Sequence, residues 1–238
     1  MRQDWWYLLF LHWAAAPEAI QPLLPPGLDL DTFAGRAYVG LIPFTVTGAR
    51  PRLLPPVPGV SSFHEVNLRT YVHRAGREPG VWFFSLDAAS ALAVRAARWA
   101  YKLPYHKARM RLVRAGDGTI DYASERLWPG PCPAGCRLRY RPTGEPKPAP
   151  VGTLEHFLIE RYILYAAAAG RLYSARVHHA PYPVQSADVP TWEETLTTAA
   201  GIPRSAEAPL VHYAEGVRVR VYPLRRVAAE SSYPPRKP

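Results

Sequence analysis

Hydrophobic and polar positions alternate most clearly between Phe63 and Val72. Phe63, Glu65, Asn67, Arg69 and Tyr71 share one side of an extended chain, and His64, Val66, Leu68, Thr70 and Val72 share the other, because successive side chains of a strand point to opposite faces. The run from Val81 to Leu86 is apolar on both sides and predicts a central strand. Glu78-Pro-Gly80 lies between the two runs and reads as the turn of a hairpin. Upstream, the pattern predicts a first strand over Trp5–Ala16, a short helix over Pro17–Leu24 and a strand over Ala37–Val46. The proline-rich stretch Arg50–Gly59 reads as a loop.

Downstream, Asp87 is placed to cap a helix from Ala88 to Tyr101 that Leu103-Pro104 stops. Lys107–Arg114 and Thr119–Leu127 flank Gly116-Asp-Gly118 and predict a second hairpin. Arg137–Arg141 reads as a short strand, Thr143–Gly152 as a proline-rich connection, and Thr153–Ala169 as a strong helix closed by Gly170. A strand over Leu172–His179 follows. Thr191 and Glu194 have capping-box spacing at the head of a helix to Ala200, and Leu210–Leu224 predicts two last strands. About ten strands and four helices with hairpins dominant predict an α+β, mainly antiparallel architecture. No repeat or composition break marks a second domain, so residues 1–227 are expected to form one domain, with 228–238 a disordered tail.

Composition narrows the function classes. The chain has 238 residues, 48% of them hydrophobic, enough for a sizeable core. Its formal charge is +10, but only Lys102, Lys107, Lys147 and Lys237 among the 29 basic residues are lysines, and the arginines are scattered. Nucleic-acid footprints cluster on one face or element, so no nucleic-acid partner is expected. Cys132 and Cys136 sit in a Pro/Gly turn without a second ligand pair, and the histidines are dispersed, so neither a metal nor another cofactor is expected. The apolar segment Trp5–Ala16 is too short for a bilayer, which takes about 20 residues, and later segments are less apolar. The expectation is a soluble, cytoplasmic protein with no membrane partner and the possibility of self-association.

Two segments hold candidate chemistry. On the strand Phe63–Val72 a carboxylate, an amide and a guanidinium (Glu65, Asn67, Arg69) project to one side. Turned inward they would orient an anionic or keto ligand; turned outward they would be an ordinary solvated face. Tyr101-Lys-Leu-Pro-Tyr-His-Lys107 gathers two tyrosines, two lysines and a histidine. A lysine in an apolar pocket can form Schiff bases and a tyrosine or histidine can donate a proton; the same residues also suit a helix C-terminus. His178 and His179 fall on opposite strand faces, and Glu160 and Arg161 read as structural ion-pair partners on a helix.

Leu24-Pro-Pro-Gly-Leu-Asp-Leu30, the whole of Phe63–Val72, Pro79-Gly-Val-Trp-Phe-Phe-Ser-Leu-Asp-Ala88, Leu103-Pro-Tyr105 and Gly152-Thr-Leu-Glu-His-Phe-Leu-Ile-Glu-Arg-Tyr162 resemble the YqjF-like family of uncharacterised proteins, from Trp5 to about Tyr222. That family is similar in turn to the acetoacetate decarboxylases, most clearly over Trp5–Arg109. The resemblance implies a closed or strongly curved antiparallel sheet, barrel-like, around a central pocket with about four flanking helices. It also puts Glu65 where those enzymes have a pocket glutamate. The chain departs from the pattern at the lysine: decarboxylases carry the Schiff-base lysine directly after a proline, and here Pro104 is followed by Tyr105 and His106. The carboxylate-binding arginine near the chain start also lacks a clear match, Arg2 being the local arginine.

The combined reading is a small-molecule-binding protein, and an enzyme if Glu65, Tyr105, His106 and Lys107 carry chemistry, with Asn67, Arg69, Tyr71, Trp82 and Lys102 contacting the ligand. Two alternatives stay open: a Schiff-base lyase using Lys107 or Lys102, and a non-enzymatic basic interaction domain.

Overall fold

A computed structural model of the chain describes residues 1–203, 205 and 207–228. In chain order it contains β1 (Arg2–Ala15), α1 (Pro17–Ile20), β2 (Asp29–Leu30), β3 (Ala37–Arg50), β4 (Phe63–Arg74) and β5 (Arg77–Ala88). Then come α2 (Ala91–Tyr101), β6 (Tyr105–Arg114), β7 (Ile120–Trp128), β8 (Gly135–Lys147), α3 (Leu154–Ile159) and β9 (Ile163–Ala168). The last elements are β10 (Arg171–His178), β11 (Val184–Glu194), α4 (Leu196–Ala199), β12 (Leu210–Val221) and β13 (Arg225–Arg226).

The thirteen strands of the described residues belong to one sheet whose pairing closes on itself twice. One ring runs β1–β3–β4–β5–β9–β10–β12; the other leaves β5 through β6, β7, β8 and β11 and returns at β12. The shared strands are therefore buried on both faces, and their period-2 alternation feeds two cores. On β1, Leu8 and Phe10 enter one apolar cluster while Leu9 and Leu11 enter the other. On β3, Ile42 and Phe44 go one way and Val39 and Leu41 the other. A bulge keeps β1 in phase: Tyr7 takes φ 59° and the register slips between Trp6 and Leu11. Odd-numbered Trp5 and even-numbered Leu8 thereby face the same core.

Several expected elements differ. The helix over Thr153–Ala169 stops at Ile159, and Glu160 leaves helical geometry at φ −90°, ψ 82°. Residues Ile163–Ala168 instead form β9, parallel to β5 and hairpinned to β10 through Ala169 and Gly170, both at positive φ. The alanine run favours helix locally, but ring closure needs a strand there, and tertiary pairing overrides propensity. The helix expected from Thr191 begins at Leu196. Thr191 pairs with Arg139 in the sheet, and the Glu194 carboxylate accepts from the amide and hydroxyl of Thr197, not in a box with Thr191. Helix α2 is capped by Ser90, not Asp87, which lies buried at the end of β5.

The expected Glu78-Pro-Gly80 turn is inside β5. The chain reverses earlier, at Ala75 and Gly76, both at positive φ. Gly80 is small for another reason: a Cβ there would sit 2.6 Å from the carbonyl oxygen of Ile163 on β9. The sheet is mixed, since β5 runs parallel to both β6 and β9. Arg137–Arg141 lies within the longer β8, whose last residues occupy part of the expected proline-rich connection. Leu210–Leu224 resolves into β12, with β13 lying just beyond that stretch. Of the expected tail, only Ala228 lies within the described residues. Among the described residues no helix is long and apolar enough to cross a membrane.

Candidate functional site

Residue alternation along β4 decides the site. Val66 and Leu68 pack into one cluster, so Glu65, Asn67 and Arg69 point the other way, into a cavity of about 100 Å³ inside the first ring. That space holds several waters or one small organic molecule. Apolar side chains form most of its wall, among them Trp5 and Phe10 from β1, Phe44 from β3, and Phe83 and Leu86 from β5.

Glu65 is 4% exposed. The Tyr105 hydroxyl donates to Glu65 Oε2 at 3.0 Å, and the Tyr122 hydroxyl donates to the Glu65 backbone oxygen at 2.8 Å. Burial pushes the Glu65 carboxyl up to about 8; the Tyr105 hydrogen bond opposes the shift and the Asp87 charge adds to it. Asp87 is itself engaged by Arg126 through two hydrogen bonds of 2.7 and 2.9 Å, both side chains being fully buried. At neutral pH the cavity therefore presents a mostly protonated carboxyl. Asn67 is also buried, and its Oδ1 has no hydrogen-bond partner.

Arg69 passes between two rings, its Cζ 6.0 Å from the Phe10 centroid and 5.7 Å from that of Tyr71. Its Nη2 donates to the Leu158 carbonyl at 3.2 Å and its buried Nε has no partner. Among the described residues no carboxylate forms an ion pair with it. Tyr71 stands behind the cavity wall: its hydroxyl donates to the Leu158 carbonyl and lies 2.7 Å from His12 Nε2. Because that hydroxyl spends its proton on Leu158, His12 Nε2 must be the donor to Tyr71, and the buried Nδ1 has no partner. Burial, with the Arg69 charge adding to it, holds the His12 pKa well below the usual value.

The other candidates are not brought to the cavity. On β6 Tyr105 faces in, so His106 faces out, where its Nδ1 lies 2.8 Å from the Pro129 carbonyl. Lys107 shares the side of Tyr105 but has passed the cavity, and its amine donates to the carbonyls of Ala89 and Ala108 at 2.7 and 2.9 Å. Lys102 ends α2 in the left-handed region, φ 55°, and its amine lies over the Tyr173 ring. Trp82, Lys102 and His106 line a groove on the outer side of the sheet. Among the described residues no lysine lines the cavity. The two cysteines are free, Cys136 buried. Four of the outer arginines of β6 and β8 are answered by carboxylates, Arg109–Glu125, Arg139–Asp121, Arg141–Asp188 and Arg114–Glu215.

Arg161, His179 and Tyr182 also line the cavity, and sequence reasoning missed all three as site residues. Arg161 was expected to pair with Glu160 on a helix. Because α3 ends at Ile159, Arg161 instead pairs with Asp31 at 2.6 Å and stacks on Phe157. Glu160 takes the Tyr182 amide and the Tyr162 hydroxyl. His179 is clasped between the Tyr162 and Tyr182 rings, with centroids 4.7 and 4.4 Å away, and burial lowers its pKa. Early termination of the helix was the missing signal, and the aromatic and β-branched run Tyr162-Ile-Leu-Tyr165 was its trace in the sequence.

Known proteins share the family and the fold. The model of the DUF2071 family, described as an uncharacterized conserved protein, matches residues 2–218. The uncharacterized protein YqjF of Bacillus subtilis is 41% identical over 226 residues, covering 95% of this chain and 92% of that protein. Among solved structures, the enduracididine biosynthesis enzyme MppR complexed with pyruvate aligns with TM-score 0.67 and 16% identity, over 97% of this chain and 91% of its own. An acetoacetate decarboxylase-like enzyme from Sphingomonas wittichii aligns with TM-score 0.65 and 14% identity, over 95% and 92%. Acetoacetate decarboxylase from Legionella pneumophila aligns with TM-score 0.62 and 12% identity, over 95% and 87%. These structural likenesses show the fold, and the sequence matches show the family: the chain belongs to the DUF2071 family of uncharacterized conserved proteins, on the fold of the acetoacetate decarboxylase-like enzymes.

Proposed function

We propose that the chain binds a small anionic or keto compound in the cavity of the first ring and exchanges a proton with it through Glu65. The observation that carries this reading is the convergence, on one strand face, of a buried carboxyl that titrates near 8 and a guanidinium without a carboxylate partner. A proton donor or acceptor works best when its pKa lies near the working pH, and a half-buried cation without a counter-ion favours an anion. Tyr105, donating to Oε2, would stabilise the carboxylate left when Glu65 gives up its proton. Arg69 would hold the anionic group and Asn67 a polar atom between the two. That a structural neighbour was solved with pyruvate is consistent with a keto compound.

A lysine-derived iminium has less support. The Lys107 amine is held by two backbone carbonyls and Lys102 lies on the outer side. Borohydride trapping with a panel of keto acids is expected to add no mass to either lysine.

The proposal is tested by incubating the protein with small 2-oxo and 3-oxo acids in deuterated water and following deuterium uptake beside the carbonyl by NMR. Uptake is expected with at least one member, reduced about 100-fold or more in Glu65→Gln. A rate that rises with pH through about 8 assigns Glu65 as base, and one that falls assigns it as acid. The charged and titratable groups about Glu65 are Tyr105, Asp87 with its partner Arg126, and Arg69. No uptake with any member, or equal uptake in Glu65→Gln, would remove the proposed role.

A further inference from the structure

The charges lining the cavity can be counted. Three side chains that are ordinarily ionised in water line it: Glu65, Arg69 and Arg161. Arg161 is compensated by Asp31 at 2.6 Å. Glu65 is buried and shares its proton-bearing carboxyl with Tyr105. His179, its ring closed between two tyrosines, contributes no charge in its neutral form. The terminal ammonium of Met1, an exposed residue of the lining, is engaged by the Val221 carbonyl at 2.7 Å. Among the described lining side chains one positive charge is left without a carboxylate, that of Arg69, whose Nε is buried and unpartnered and whose guanidinium is walled by Phe10 and Tyr71. Beyond it, the space is bounded by aromatic and branched aliphatic side chains, with Asn67 Oδ1 the one other buried side-chain atom of the lining that lacks a partner.

From this geometry we infer that the cavity is built for a singly charged carboxylic acid with an apolar body, and that it discriminates against dianions such as phosphate esters and dicarboxylates. This inference rests on the reading of the cavity as an anion site and specifies its ligand class. A monoanion neutralises Arg69 and leaves no charge unpaired. A second negative charge would find no further cationic side chain of the described lining free of a carboxylate, and an unpaired charge in such surroundings is strongly disfavoured. The apolar body is favoured because the wall offers Trp5, Phe10, Phe44, Phe83 and Leu86 and few polar groups; each buried CH₂ contributes about 0.8 kcal/mol. Very small acids such as acetate would leave that wall unfilled.

The test is a matched series measured by calorimetry on the full chain: acetate, 3-methylbutanoate and phenylacetate as monoanions, succinate and phenyl phosphate as dianions, and phenylacetamide as the uncharged match. The expected order is phenylacetate and 3-methylbutanoate at least tenfold tighter than acetate. Phenyl phosphate, succinate and phenylacetamide should bind at least tenfold more weakly than phenylacetate. Arg69→Met should lose the preference for phenylacetate over phenylacetamide, while Arg69→Lys should keep it; if the methionine variant does not fold, the wild-type series together with Arg69→Lys still decides. Dianions binding as tightly as monoanions, or an affinity that does not rise with the apolar body, would overturn the ligand class while leaving an anion site that needs Arg69. Failure of every acid to bind, or binding indifferent to Arg69→Met in a folded variant, would overturn the anion site itself.

Discussion

Glu65 has almost no contact with water, and its proton is worth measuring through stability. Its folded-state pKa of about 8 lies above the usual value of 4.5, so between those limits the folded protein holds a proton that the unfolded chain releases. The stability this contributes is complete below 4.5 and is lost as pH rises toward 8, with a slope of at most about 1.4 kcal/mol per pH unit. Glu65→Gln carries no such proton. Urea unfolding between pH 5 and 9 should show the variant gaining on the wild type as pH rises, and parallel pH profiles would contradict the burial argument. The buried histidines His12, His106 and His179 and the half-buried His64 and His212, with lowered values, act in the opposite sense below about 6.5 and do so in both proteins. A second residue-scale outcome concerns the pair beneath the site. Arg126→Met leaves Asp87 buried without its partner, and removing one side of a buried pair costs about 3–5 kcal/mol. Equilibrium unfolding near pH 7 reads this directly, with Arg109→Met, on a pair exposed on both sides, as the near-neutral control.

The elements are held by close approaches that single residues permit. Gly80 lets β5 and β9 run side by side, with a Cβ at that position 2.6 Å from the Ile163 oxygen and 2.9 Å from the Tyr165 ring. Gly80→Ala should therefore destabilise by roughly 1–3 kcal/mol and loosen the β9 strand that follows Arg161. Gly116→Ala in the β6–β7 turn meets nothing within 4 Å and should change stability by less than about 0.5 kcal/mol. Thermal unfolding of the two variants side by side gives the comparison; equal melting temperatures would mean the β5–β9 contact is looser than described. Gly40 plays a similar part opposite β1, where a Cβ would lie 2.9 Å from the His12 ring that is pinned to Tyr71.

At the scale of the whole molecule, the two rings share β1, β3, β4, β5 and β12. Neither core can open without exposing the back of strands that wall the other. The residues lining the cavity come from β1, β3, β4, β5, β6, β9, β10, β12 and the segments between them, so the site exists only when the first ring is closed. The described residues should unfold as one cooperative unit. Tryptophan fluorescence, which reads Trp5 and Trp13 on opposite faces of β1, and far-ultraviolet circular dichroism should give coincident urea transitions. Two separated transitions would mean that the rings are independent.

The sequence by itself determined that Glu65, Asn67 and Arg69 share one face, since a strand's period of two permits no other arrangement once the segment is extended. It also determined the Asp-Gly hairpin between β6 and β7, because that turn chemistry is local, and, through the quoted stretches, the family. Only the tertiary structure decided that this face turns inward, because inside and outside are properties of ring closure and not of periodicity. The same closure turned Ile163–Ala168 from helix into strand, carried Arg161 and His179 to the cavity, and sent Lys102 and His106 to the outer side. Strand β9 depends on a partner more than sixty residues away along the chain, β5, and no local pattern carries that information. The Glu65 pKa belongs to the same class: its carboxyl is ordinary as a residue type and is shifted because the closed ring removes the water around it.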